Sequence, residues 1–198
     1  MKKLAFIIIG ILFLTACNAE ERTRETKLTI EPLQLTEREE KLVKQQPAEL
    51  QEYFLVNGML NESDDLKLAV TKIEDGEQTE KMSSYGFLET EYDDYILSTS
   101  IYNHSNTEET LVFGSDTSLS SSTIPIPTEF NSFTYGSIIS EETSLEKGET
   151  YHLAYLQGSS ENSMSTPSIT PTELKDMKNA ELAYIFTISI IDKDHHQR

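Results

Sequence analysis

The sequence predicts a mainly β domain folded as a sandwich or barrel, on three observations. Apolar and polar residues alternate through a series of short segments. Ser-, Asn- and Gly-containing turns separate those segments. Helical spacing is confined to two brief stretches.

The chain opens with Lys2 and Lys3, followed by an apolar run over residues 4–14 broken only by Gly10, and then by the small residues Thr15 and Ala16 before Cys17. This is the three-part layout of a secretory signal. As a helix the run would be roughly 16 Å long, about half the ~30 Å hydrocarbon thickness of a bilayer, so it is expected to direct export rather than to stay as a span. The segment Leu14-Thr15-Ala16-Cys17 resembles the lipobox of bacterial lipoproteins. That resemblance implies a signal peptide over residues 1–16, cleaved between Ala16 and Cys17, and a diacylglycerol on the Cys17 sulfur. It leaves open whether a further acyl chain is added to the freed amine. It also implies a palmitate-bearing protein held on the extracytoplasmic face of the cell membrane. Cys17 is the sole cysteine, so it can form no disulfide within the mature chain. Two acyl chains, at about 0.8 kcal/mol per buried methylene, suffice for a stable anchor.

Removing residues 1–16 takes away Lys2 and Lys3 but no acid, which moves the formal charge from −18 to −20. Such a field repels phosphate backbones, so nucleic acid is not expected as a partner. It favours cationic or neutral ligands or an envelope protein, and it also keeps an exposed domain soluble.

Residues 18–35 are polar and charged without a sustained period, and with Cys17 they read as a lipidated flexible tether over 17–35, about 60 Å at full stretch. Thr36-Glu37-Arg38-Glu39 is a capping box, so a short helix should start there and stop before Pro47, with a further turn towards Gln51. The helical segment is thus 36–52. The β domain should run over 53–192 and leave 193–198 as a disordered tail. Leu66, Leu68 and Val70 alternate with Lys67, Ala69 and Thr71, and Asp75-Gly76 fits the hairpin turn that follows. Tyr95, Leu97, Thr99 and Ile101 share one face of another strand. Residues 110–113, 130–139, 151–156 and 182–191 supply four more. Ile124-Pro125-Ile126-Pro127 must be an edge or a loop, because proline has no N–H for a central ladder. After a Ser/Asn-rich loop at 158–167, Thr170-Pro171-Thr172-Glu173 should cap a second short helix towards Asn179.

Leu145-Glu146-Lys147-Gly148-Glu149-Thr150-Tyr151, leading into an apolar strand, resembles the tyrosine corner of fibronectin type III and immunoglobulin-like sandwiches. The resemblance implies a Greek-key β-sandwich with a tyrosine hydroxyl bonded back to the preceding turn, and insertions near 74–92 and 157–180 where functional loops would sit. The run Leu35-Thr36-Glu37-Arg38-Glu39 with Tyr53-Phe54 is similar to uncharacterised lipoproteins of Gram-positive bacteria, which implies a source but no activity.

No nucleophile elbow, phosphate loop, Cys-x-x-Cys or His-Glu-x-x-His occurs. No catalytic residue, cofactor or metal site is therefore expected, and the function class is a noncatalytic binding or interaction module. Two alternatives stay open. His104, in Tyr-Asn-His-Ser-Asn, or His152, after Tyr151, could act as the base of an envelope hydrolase if the fold sets it against a nucleophile. The terminal Asp192-Lys193-Asp194-His195-His196 mixes carboxylates with imidazoles and could capture a metal if preorganised. Glu89, Glu91, Asp93 and Asp94 lack the spacing and glycine of a calcium loop and read as a solvated acidic edge. Tyr85, Phe87, Tyr92, Phe130, Phe133 and Tyr135 would be binding aromatics where exposed, and core where not.

Overall fold

The computed structural model describes residues 25–86, 89–105, 107–126, 130–164 and 166–193. Cys17, Phe87 and Asp194 to His196 lie outside them. Two antiparallel sheets pack face to face, as the alternation predicts. The first holds six strands in the order β7-β6-β5-β2-β1-β9 and the second five in the order β4-β3-β11-β10-β8.

The sandwich starts earlier than the sequence suggests. β1 (Lys27–Pro32) pairs along its whole length with β2 (Ala48–Met59). The stretch expected as tether through residue 35 therefore contains a strand from Lys27 onward, and no helical turn follows Pro47. Leu28 and Ile30 explain the difference: they alternate with Lys27, Thr29 and Glu31 and are almost fully buried between the sheets. That is too short a run to stand out among so many charges. Gly58 lets the two strands close up. Its φ is +120°, and a Cβ there would lie 2.1 Å from the Lys27 carbonyl oxygen.

Between β1 and β2 the helix α1 (Glu37–Val43) begins at Thr36 as its capping box requires. The Glu39 N–H donates to Thr36 Oγ1, and the Thr36 N–H donates to Glu39 Oε2 at 2.7 Å. β3 (Asp64–Glu74) turns into β4 (Glu77–Ser84) through Asp75 and Gly76, both at positive φ, the two-residue turn that suits a twisted hairpin. The insertion expected at 74–92 is thus largely an edge strand. Its polar sequence, with Lys67 paired to Glu80, gave no apolar alternation to read.

β5 (Glu91–Ser105), β6 (Glu108–Ser115) and β7 (Leu119–Pro125) form a meander, and Pro125 ends the edge strand as its missing N–H demands. β8 (Ser132–Ser137), β9 (Thr143–Leu145), β10 (Thr150–Ser159) and β11 (Leu182–Asp192) complete the sheets. β10 lies between β8 and the last strand β11. The Tyr151 hydroxyl accepts the Glu146 N–H at 3.0 Å, fastening the turn over 146–150 to β10.

Phe113 and Phe186 meet edge to face across the two sheets with ring centroids 5.1 Å apart, amid Leu68, Val70, Leu111 and Ile188. β11 is buried on its other face too. Ala183 and Ile185, with Ile73 and Tyr155, sit beneath Ile169, Leu174, Met177 and Ala180 of the 160–181 segment. This double burial accounts for the near-continuous apolar run Leu182-Ala183-Tyr184-Ile185-Phe186. It also corrects the second helix, since only one 3-10 turn, Met177–Asn179, forms there. Thr170 and Glu173 do exchange hydrogen bonds, but the chain then follows its apolar side chains down onto the sheet instead of coiling.

Candidate functional site

The 160–181 segment roofs the outer face of the five-stranded sheet and leaves a cavity of about 480 Å³. β3 gives it Thr71, β4 Gln78, β10 Thr150 and His152, and β11 Ile185 and Thr187. Thr172, Glu173, Leu174 and Lys175 close the roof. Alternation on the strands places these side chains outward, away from the inter-sheet core. A bulge in β10 between His152 and Ala154 resets that alternation, so His152 faces the roof while Tyr151 turns to the core.

His152 is 8 % exposed. Its backbone N–H donates to the Pro171 carbonyl at 2.7 Å, and its ring Nδ1 lies 3.4 Å from the Thr170 carbonyl oxygen. Burial pushes the imidazole below its ordinary pKa, and the two carbonyls only partly counter this. The ring is neutral at neutral pH. With Nδ1–H directed to Thr170, Nε2 keeps the lone pair. Thr187 Oγ1 donates to the Ala69 carbonyl at 3.2 Å, and Lys175 pairs with Glu173 at 2.9 Å. His152 thus faces a backbone carbonyl, and among the described residues no serine lines the cavity. The roof itself was legible in sequence as a Ser/Asn-rich insertion, and His152 as an isolated polar residue on an apolar strand. Thr71, Gln78 and Thr187 gave no signal, because outward polar residues on a strand usually face water.

The other singled-out residues do not join this cavity. His104 lies in β5, near the end of the sandwich where β2 begins. Glu91 opens β5, and the Asp94 N–H donates to Asn57 Oδ1 at 2.7 Å in a positive-φ kink. Tyr92 is buried against Tyr95 in an edge-to-face pair. Phe130, Phe133 and Tyr135 pack partly on the core, and Tyr85 is exposed. Among the described residues no three His, Cys, Asp or Glu side chains come together in a group that could hold a metal ion.

Two charged constellations were not foreseen, since each joins residues distant in sequence. Where the chain enters β1, Asp64 is 3 % exposed. It accepts from Lys147 Nζ at 2.7 Å and from Thr26 Oγ1 at 2.5 Å, while Lys147 also reaches Asp192. Burial would raise the Asp64 pKa, but hydrogen bonds from Lys147, Thr26 and Ser63 outweigh it and hold the carboxyl below its usual value. At the opposite end, Glu109 of β6 is 5 % exposed and hydrogen-bonded to Tyr135, and its Oε2 has no hydrogen-bond partner. Burial first, and then the Glu49 charge, push its pKa up to about 7 against the Tyr135 hydrogen bond.

The chain matches no protein-family model, no curated protein and no solved structure.

Proposed function

We propose that this chain is an exported lipoprotein of the bacterial cell envelope, anchored through Cys17, whose sandwich is a noncatalytic binding module. Leu14-Thr15-Ala16-Cys17 at the end of a short apolar run carries this reading. Two features of the folded part support it. Ten Cα steps, at most about 35 Å, join Cys17 to the first strand residue Lys27, so a lipid there would hold the domain near the membrane surface. The junction is also fastened, since Thr26 is tied to Asp64 and through it to Lys147. Restricting the domain to one surface raises its local concentration against anything else held there, which turns weak contacts into useful ones.

The ligand we assign to the module is small and uncharged, and it occupies the cavity beside His152. Threonine hydroxyls, the Gln78 amide and a neutral imidazole line the cavity alongside Leu174 and Ile185, while the Lys175–Glu173 pair cancels its own charge.

Metabolic labelling with a fatty-acid probe, followed by membrane fractionation, tests the anchor. Wild type should be labelled and sediment with membranes, and Cys17→Ala should lose both. An unlabelled, soluble wild type would overturn the anchor. For the ligand, titration with a panel of neutral mono- and disaccharides should shift the His152 ring resonances. A ring unmoved throughout would remove the cavity from the reading and leave the anchor standing.

A further inference from the structure

The carboxyl of Glu109 has no role in the cavity or the anchor. On β6 it alternates with Leu111 and Phe113, both core residues, so it points between the sheets. Opposite it in the sheet are Asn103 of β5 and Ile124 of β7. Among the described residues the titratable groups that bear on it are Tyr135 from β8 across the sandwich, Glu49 from β2 and Tyr184 from β11. Neither β5 nor β7 presents a charge opposite it, and among the described residues it forms no ion pair. One carboxyl oxygen is hydrogen-bonded at most, and Oε2 is buried without a partner. An ionised carboxylate in that position is desolvated with only the Tyr135 hydrogen bond to compensate, whereas a protonated one loses little.

The neighbouring strand is paired on one side alone. β7 is the outermost strand of its sheet. Its apolar anchors are Ile124 and, just beyond it, Ile126, whose N–H donates to the Thr107 carbonyl at 2.7 Å, while Leu119 at its other end is 74 % exposed. Parting β6 from β7 at this end would uncover Glu109, because Ile124 of β7 lies directly beside it.

We infer that Glu109 is a proton-operated latch: protonated, it closes the end of the sandwich remote from Lys27, and deprotonation opens the β6–β7 edge there to water. That this end is remote follows from the register. Lys27 of β1 pairs with Met59 at the end of β2, whereas Ala48, at the start of β2, lies beside Tyr102, and Glu109 lies beside Asn103.

Linkage fixes the direction. In the closed form the carboxyl keeps its proton to about pH 7, and in the open, hydrated form it titrates near its ordinary value of 4.5. The opening constant therefore rises about tenfold per pH unit between these values and levels off above the higher one. Amide hydrogen exchange of the chain in detergent micelles, corrected for intrinsic exchange, reads this at Ile126. Its protection should fall about tenfold per unit from pH 5 to 7 and little beyond, and Glu109→Gln, uncharged at every pH, should be flat. Flat protection in the wild type, or an equal fall in Glu109→Gln, would overturn the latch. Should Glu109→Gln not fold, the side-chain carboxyl carbon of Glu109 decides in the wild type by NMR. Titration near pH 7, coincident with the loss of protection, supports the latch, and titration in the ordinary carboxylate range refutes it.

Discussion

Asp64 and His152 are both buried and both polar, yet the sequence distinguished them poorly, because what sets their chemistry is a partner far along the chain. Asp64 is held ionised by Lys147, eighty-three residues away, and by Thr26. Its folded pKa lies below the unfolded value, so the stability it contributes is present above about pH 4 and is lost as pH falls through the folded value. Asp64→Asn should therefore lower the unfolding temperature at pH 7, at a cost of about 1–3 kcal/mol for the impaired buried hydrogen bonds, and the deficit should shrink towards pH 3. A deficit of equal size at both pH values would show that packing rather than charge is at stake. His152 was legible as a candidate base from its type alone. Its actual partner, the Thr170 carbonyl, follows from where the 160–181 segment lands, which no local pattern encodes.

The elements that could be read were those whose local chemistry and tertiary fate agree. Thr36 to Glu39 spelled a helix start that the chain makes, Asp75-Gly76 spelled a turn, and Leu66, Leu68 and Val70 spelled one buried face. Capping chemistry at Thr170 misled because Leu174 and Met177 gain more by burial on the sheet than by continuing a helix. β1 was missed for the opposite reason: two apolar residues make a weak pattern, but pairing with β2 and β9 gives them a place in the core. Substitution separates the two cases. Ile30→Ala should cost about 2–5 kcal/mol in global stability, as truncation of a core residue does and truncation of a tether residue would not. Thr36→Ala removes a cap worth about 1 kcal/mol from a helix with no buried residue, so it should fray α1 without shifting the main denaturation transition. Circular dichroism and chemical denaturation of the two variants read these effects directly.

Over the whole molecule the acidic composition and the buried carboxyls act in the same direction. Burial pushes the Glu109 and Glu52 carboxyls above the ordinary value, so each favours the folded state when protonated and opposes it as pH rises through its folded value. For Glu109 a shift from 4.5 to about 7 corresponds to roughly 3 kcal/mol. The formal charge of −18 adds self-repulsion that eases as surface carboxylates take up protons. Two of the buried groups act against acid. His152, buried neutral, supports folding above about pH 6.5 and progressively less below it, and Asp64 withdraws its contribution under about pH 4. Stability should accordingly peak in mild acid, about pH 5 to 6, and decline on both sides. Glu109→Gln should flatten the alkaline decline and move the peak upward, while Asp64→Asn should lower the peak. Unfolding temperatures measured from pH 3 to 9 for the three proteins decide the matter. A wild-type maximum at pH 7.5 or above would mean that the buried carboxyls are hydrated in the native state and that the core reaches water where this fold keeps it dry.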